Sequence, residues 1–146
     1  MKEINAVERC SRRYKNAVSD LKDLKPIHHS YIFAICNHPG STQDELSDFI
    51  SVDKSNITRN LAFLEDGGYI RRIPQKDDKR KILVYPTDKM KEVFPDVLKI
   101  SKEWNSLLLS NLTDGEKEIL SVLLEKLSVN AKFALKSISK GGKSEI

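Results

Sequence analysis

The sequence contains little cysteine, glycine or proline and no long apolar run. Its two cysteines, Cys10 and Cys36, are too few for a disulfide framework, and six glycines with five prolines exclude a collagen-like or low-complexity chain. No segment approaches the roughly 18 apolar residues of a membrane span, and the start, MKEINAVERC, lacks the apolar core of a signal peptide. We therefore expect a cytoplasmic protein without a membrane partner.

Charge is abundant but nearly balanced. Charged residues make up 32% of the 146 residues and hydrophobic residues 39%, and 25 Lys and Arg against 21 Asp and Glu leave a net charge of +4. This composition predicts a globular chain with its own core. The mild basicity permits a nucleic-acid partner without requiring one.

Apolar residues three and four positions apart predict helices along most of the chain. Asn5 and Glu8 have the spacing of a capping pair at the start of the first helix, and T-x-x-E capping boxes begin at Thr42 and Thr113. Gly67 and Gly68 are expected to end the fourth helix in the left-handed conformation. The predicted helices span residues 4–24, 27–37, 43–50, 54–66, 88–111 and 114–138.

Two short β-like runs, YIRRIPQ and KILVYP, are the strand signal of the sequence. They flank the polar segment KDDKR, which predicts a hairpin tip. Residues 42–85 therefore read as a helix, a tight SVD turn, a second helix and a hairpin. That order is typical of a winged helix-turn-helix, whose second helix enters the major groove of DNA. We expect a mainly α fold with a small β-wing.

The helix at 54–66 separates its residues into two faces. Ile57, Leu61 and Leu64 form the apolar face, and the opposite face holds residue types that read base edges or bind phosphate. For this helix alone, an ordinary solvated surface is an equally good interpretation. The hairpin favours DNA, because residues 69–86 hold six basic and two acidic residues.

The segment 41–89 resembles the DNA-binding lobe of the MarR family. The matching pieces are T-Q-x-E-L-x, V-D-K-S-x-I-T-R, L-x-x-L-E-x-x-G-Y-I-x-R and the D-x-R formed by Asp78 and Arg80. The flanking helices are similar to the dimerisation helices of that family. The sequence departs from the family at Ala62 and Phe63, where polar residues are usual, and we expect Phe63 to pack against a neighbouring helix.

The resemblance implies one MarR-like domain over residues 1–146. Its parts would be a winged helix-turn-helix DNA-binding lobe at 27–86, dimerisation helices at 1–26 and 87–138, and a flexible tail at 139–146. The function implied is a sequence-specific transcriptional regulator, a ligand-responsive repressor that binds a pseudo-palindromic operator in double-stranded DNA as a homodimer. The alternative is a winged-helix module that binds protein without specific DNA binding.

The face argument and the resemblance together assign ten residues to DNA. Arg80 would enter the minor groove, where negative potential is concentrated, and Asp78 would orient the wing by pairing with a nearby arginine. Asn56 is expected to read adenine. The DNA-binding set is Thr42, Gln43, Lys54, Ser55, Asn56, Thr58, Arg59, Lys76, Asp78 and Arg80.

Apolar residues outside the lobe predict self-association. On a monomer they would leave a large exposed patch, which two-fold pairing would bury. This set is Val97, Trp104, Leu108, Leu120, Leu124 and Phe133.

A second set of residues leaves two interpretations open, namely core packing or the lining of a cleft for a small-molecule effector. In the MarR family such a cleft lies between the dimerisation helices and the DNA-binding lobe. The candidates are Tyr14, His28, His29, Tyr31, Ile32 and Trp104.

No metal, cofactor or enzymatic activity is expected. Adjacent histidines on a helix point in different directions and do not easily share an ion, and the sequence contains no phosphate loop, H-E-x-x-H or G-x-S-x-G motif. Cys10 lies among arginines, which lower a thiol pKa. We nevertheless expect Cys10 to be an ordinary interface residue and Cys36 a buried one.

Overall fold

The structure, a computed structural model, describes residues 1–140, and the side chains of residues 1–138. It confirms the predicted fold class, six helices with a small antiparallel sheet. The chain divides into two compact units, one from Met1 to Asn105 and one from Ser106 onward. The elements are α1 (Lys2–Val18), α2 (Pro26–Asn37), β1 (Ser41–Thr42), α3 (Gln43–Ile50), α4 (Lys54–Asp66), β2 (Ile70–Pro74), β3 (Ile82–Pro86), α5 (Asp88–Leu108) and α6 (Asp114–Lys140).

None of the helices in the described range is long and apolar enough to cross a membrane. The helix α6 continues to Lys140, two residues into the segment predicted as a flexible tail. The rest of that segment lies outside the described residues.

The first helix is shorter than predicted and begins earlier. It starts at Lys2, so the expected capping pair of Asn5 and Glu8 is wrong, and it ends at Val18 instead of residue 24. Ser19 turns the backbone into an extended conformation, and its hydroxyl accepts a hydrogen bond from the amide of Leu21 at 3.3 Å. The residues that suggested a longer helix still face the core, since Leu24 is only 5% exposed.

The core of the first unit is formed by one face each of α2, α3 and α4, the sheet and part of α5. Val97, which was predicted to lie in the exposed association patch, is 1% exposed and packs in this core. That prediction is wrong, because helical spacing alone does not separate a core face from an interface. The largest fully buried side chains are Tyr31, Ile32, Ile35, Leu46, Ile57, Leu61, Leu64, Val84, Met90 and Val97.

The sheet contains a strand that the sequence did not predict. The strand order is β1-β3-β2, with Ser41 opposite Val84 and Arg72 on the other side of the same residue. A strand of two residues is too short to show alternation. Its pairing ties the start of α3 to the base of the hairpin.

The end of α4 confirms one glycine prediction and corrects the other. Gly68 has φ of 76°, whereas Gly67 has φ of −76° and is right-handed. The amide of Tyr69 donates to the carbonyl of Leu64 at 2.8 Å, and that of Gly68 donates to Glu65 at 2.9 Å. This is a Schellman motif, which needs only one left-handed residue.

Candidate nucleic-acid interface

A three-residue turn sets α4 at an angle to α3. Ser51 ends α3 in the left-handed region, with φ of 62° and ψ of 48°. Asp53 then caps α4, as its carboxylate accepts hydrogen bonds from the amide of Asn56 at 2.7 Å and the hydroxyl of Ser55 at 3.2 Å. The bond from the amide is the main reason that the pKa of Asp53 is lowered. The turn is a helix-turn-helix junction with a firmly capped second helix.

The two faces of α4 are as predicted. Ile57, Leu61 and Leu64 are fully buried. Four of the polar residues assigned to DNA are exposed on the opposite side, within the first two turns: Lys54, Ser55, Thr58 and Arg59.

Asn56, the fifth polar residue of that face, is held from inside the protein. The hydroxyl of Tyr31 donates to its Oδ1 at 2.8 Å, and Nδ2 of Asn60 donates to the same oxygen at 2.7 Å. An asparagine that pairs with adenine needs this oxygen as an acceptor. In this arrangement that oxygen is occupied from inside the protein, which disfavours the predicted pairing of Asn56 with adenine. The sequence did not indicate the role of Asn60, because a polar residue is not expected on the apolar face, where Asn60 is only 8% exposed.

The start of α3 is fixed by two sets of hydrogen bonds. Thr42 and Glu45 form the predicted capping box, with the Thr42 amide 2.8 Å from the Glu45 carboxylate. The Gln43 side chain donates to the hydroxyl of Thr58 at 2.8 Å, and that hydroxyl donates to the carbonyl of Lys54 at 2.7 Å. The bond between Gln43 and Thr58 thus joins α3 to α4. These two residues were each predicted from the sequence to contact DNA, and the contact between them was not predicted.

The tip of the hairpin is closed by Asp78, although not in the predicted way. Its carboxylate accepts from the backbone amide of Arg80 at 3.1 Å, and its carbonyl accepts from the amide of Lys81 at 3.0 Å. Within the described chain Asp78 forms no ion pair with an arginine, so that prediction is wrong. The consequence is similar, because the turn at the tip is fixed next to Arg80.

The basic residues of the hairpin fall into two groups. Arg72 is paired with Glu65, with Nε 2.9 Å from the carboxylate, and this pairing lowers the pKa of Glu65. Arg71 lies 5.8 Å from the centre of the Tyr85 ring. Arg72 is thus engaged by α4, and Arg71 by the neighbouring strand β3. The cations left exposed beyond the strands are Lys76, Lys79, Arg80 and Lys81.

The residues proposed for an effector cleft lie on α1, α2 and α5. The rings of Tyr14 and Trp104 are 5.3 Å apart, while Tyr31 and Ile32 are fully buried. His28 stacks on Phe63 at 4.4 Å, which confirms that Phe63 packs against a neighbouring helix.

Among the buried polar residues of this set, His29 is the one whose side chain forms no hydrogen bond within the described chain. It is 3% exposed, and within the described chain neither ring nitrogen has a hydrogen-bond partner. Burial, and then the nearby cation of Lys15, lowers its pKa to about 4. In the same range, no three His, Cys, Asp or Glu side chains form a group that could hold a metal ion.

Comparison with known proteins places this arrangement in a family. A sequence model of the MarR family matches residues 22–81, which hold the helix-turn-helix and most of the hairpin. The HTH-type transcriptional regulator BilQ of Clostridioides difficile is 31% identical over 70% of this chain and 73% of its own. This chain belongs to the MarR family. It is a transcriptional regulator and not an enzyme.

Two further matches extend the similarity beyond the DNA-binding lobe. The HTH-type transcriptional regulator YybA of Bacillus subtilis is 28% identical over 99% of this chain and 97% of its own. The crystal structure of a mutant Escherichia coli MarR complexed with operator DNA superposes with a TM-score of 0.77 at 27% identity. That match covers 86% of this chain and 91% of the other.

Proposed function

We propose that this MarR-family regulator is a repressor that binds a pseudo-palindromic operator as a homodimer. The observation that carries the proposal is the exposed polar face of α4 beside a hairpin tip with four exposed cations. A helix of this kind fits the major groove, and a basic ribbon beside it fits the backbone and minor groove. The similar fold of a MarR protein complexed with operator DNA supports the same arrangement.

The residues assigned to DNA fall into two groups, those proposed to contact DNA directly and those that hold the contacting elements in place. Lys54, Ser55 and Arg59 are proposed to contact bases and phosphates, since each is exposed at the N-terminal end of α4. Thr42 is proposed to lie near phosphate at the start of α3. Arg80 is proposed to enter the minor groove, with Lys76 on a neighbouring phosphate. The residues that hold these elements in place are Gln43, Thr58 and Asp78. Their hydrogen bonds fix α3, α4 and the tip of the hairpin, which carry the contacting side chains.

The second part of the proposal is that a small-molecule effector regulates DNA binding. His29 offers two unpaired ring nitrogens near Lys15, one a donor and one an acceptor in the neutral ring. An acidic group of an effector would accept from the donor nitrogen, and a hydroxyl or amide group would pair with either nitrogen. Tyr14, His28, Tyr31, Ile32 and Trp104 would supply the apolar and aromatic surroundings. Such an effector would act by binding the DNA-competent and incompetent states with different affinities.

The test is equilibrium binding to a duplex from the upstream region of its own gene. Arg59→Ala should weaken binding to that duplex by about tenfold or more and lower the preference over random DNA. Arg9→Ala, which removes the same charge from an exposed position of α1, is the matched control. Absence of any complex at low salt would contradict the proposal and favour a module that binds protein.

A further inference from the structure

Asn56 shares its side-chain oxygen with two buried partners. Oδ1 accepts from the hydroxyl of Tyr31 at 2.8 Å and from Nδ2 of Asn60 at 2.7 Å. Tyr31 is fully buried and Asn60 is 8% exposed. A carbonyl oxygen has two lone pairs. Both acceptor positions of Asn56 are therefore occupied from inside the protein.

The backbone determines which way the Asn56 amide points. Nδ2 of Asn60 also donates to the backbone carbonyl of Asn56 at 2.9 Å. Because a backbone carbonyl can only accept, the Asn60 atom beside it is nitrogen. The Asn56 atom that faces the same nitrogen is then its oxygen. The amide nitrogen of Asn56 has no partner in the described chain, on a half-buried residue in the first turn of α4.

We propose that Asn56 reads the operator as a hydrogen-bond donor only, and that Tyr31 and Asn60 are the positioning residues that impose this. The inference rests on the proposed function, sequence-specific binding through α4. An unrestrained asparagine favours adenine, because it donates to N7 and accepts from the N6 amino group. With its oxygen occupied, Asn56 can only donate.

The consequence is a different base preference. Guanine presents two acceptors in the major groove, N7 and O6, and adenine presents one acceptor beside a donor. A group that only donates meets guanine without conflict, whereas the N6 amino group of adenine finds no acceptor. The base pair that faces Asn56 should therefore favour guanine over adenine, or show no preference between them.

The experiment measures base preference at each position of an operator selected from random duplexes by the full chain. Affinities for the four base pairs are compared by competition, and the pair whose discrimination disappears in Asn56→Ala is the one that Asn56 faces. Tyr31→Phe keeps the buried ring and frees one lone pair of the Asn56 oxygen. At that pair it should shift the adenine-to-guanine affinity ratio toward adenine by about fivefold or more.

Two further variants control the comparison. Asn60→Ala frees the other lone pair and should shift the same ratio in the same direction, so the test does not depend on one substitution. Tyr69→Phe removes the hydroxyl of another buried tyrosine, which is 5% exposed. In the described chain that hydroxyl forms no hydrogen bond. It should leave the ratio unchanged. Thermal melting of each variant verifies that the chain remains folded.

The outcomes separate this inference from the proposed function. A wild-type preference for adenine over guanine at the Asn56-dependent pair would overturn the inference. So would an adenine-to-guanine ratio that neither Tyr31→Phe nor Asn60→Ala changes, or an operator at which Asn56→Ala alters no base pair. If the wild-type chain binds duplexes without any base preference, the proposed function fails as well.

Discussion

His29 combines burial with the absence of hydrogen bonds in the described chain. A buried polar group without a partner costs about 1–3 kcal/mol. We therefore expect His29→Phe to raise the free energy of unfolding at pH 7 by about 1–2 kcal/mol. Chemical denaturation measures the change, and His38→Phe is the control, because His38 is an exposed imidazole stacked on Phe49.

The pH dependence of this residue has a definite sign. Its pKa is lowered from 6.5 to about 4 by burial. Between these values the unfolded chain binds a proton that the folded chain does not, so stability falls as pH falls from about 6.5 to 4. His29 would account for up to about 3 kcal/mol of this loss, and His29→Phe should flatten the curve. If the stability of His29→Phe fell between pH 6.5 and 4 as steeply as that of the wild type, His29 would not be the source of the loss.

Cysteine chemistry is not expected to regulate this protein. Burial raises the pKa of the Cys36 thiol, which disfavours the reactive thiolate. Cys10 is exposed and unpaired with Cys36. We expect DNA binding to be unchanged after mild peroxide, as measured by competition binding before and after treatment. A loss that thiol reverses and that is absent in Cys10→Ser would contradict this.

Among the elements, the hairpin allows the sharpest comparison of two cations. The turn bonds of Asp78 fix the backbone next to Arg80, whereas Lys76 lies on the approach to the tip. We expect Arg80→Ala to weaken DNA binding more than Lys76→Ala, since an arginine in a narrow groove also senses groove width. Binding measured over a range of salt should show a slope reduced by about 0.9 for each lost phosphate contact.

The additional loss of Arg80→Ala should be greatest on operators with A·T-rich flanks, where the minor groove is narrow. Lys76→Ala should weaken all duplexes alike and is the internal control. Equal effects of the two substitutions on every duplex would show that Arg80 makes an ordinary phosphate contact.

Features set by neighbours in sequence were mostly predictable, although the expected capping pair of Asn5 and Glu8 did not form. The boxes at Thr42 and Thr113 depend on contacts three residues apart, and both are present. Contacts between distant segments were not predictable. Arg72 is paired with Glu65 of α4, and the hydroxyl of Tyr31 donates to the side-chain oxygen of Asn56. Nothing in local spacing encodes either contact.

At the scale of the whole molecule, α6 is the element whose large apolar side chains remain most exposed in a single chain. It spans Asp114–Lys140, and Phe133 is 74% exposed. Large apolar patches exposed on a globular protein mark association surfaces. The large apolar residues exposed along α6 are Ile119, Val122, Leu123, Leu124, Leu127, Val129, Phe133, Leu135 and Ile138.

We therefore expect a dimer of twice the 16.6 kDa chain mass at micromolar concentration, bound to half-sites whose centres are about 10 bp apart. The double substitution Leu124→Glu with Phe133→Glu places two carboxylates in the proposed interface and should shift the dimer toward monomer, since an uncompensated charge is costly to bury. Light scattering and the concentration dependence of the melting temperature measure this shift. Ser121→Glu adds the same kind of charge at an exposed polar position of α6 and should leave the dimer intact. A monomeric wild-type chain, or equal dimerisation in all three proteins, would show that the apolar surface of α6 does not join two copies.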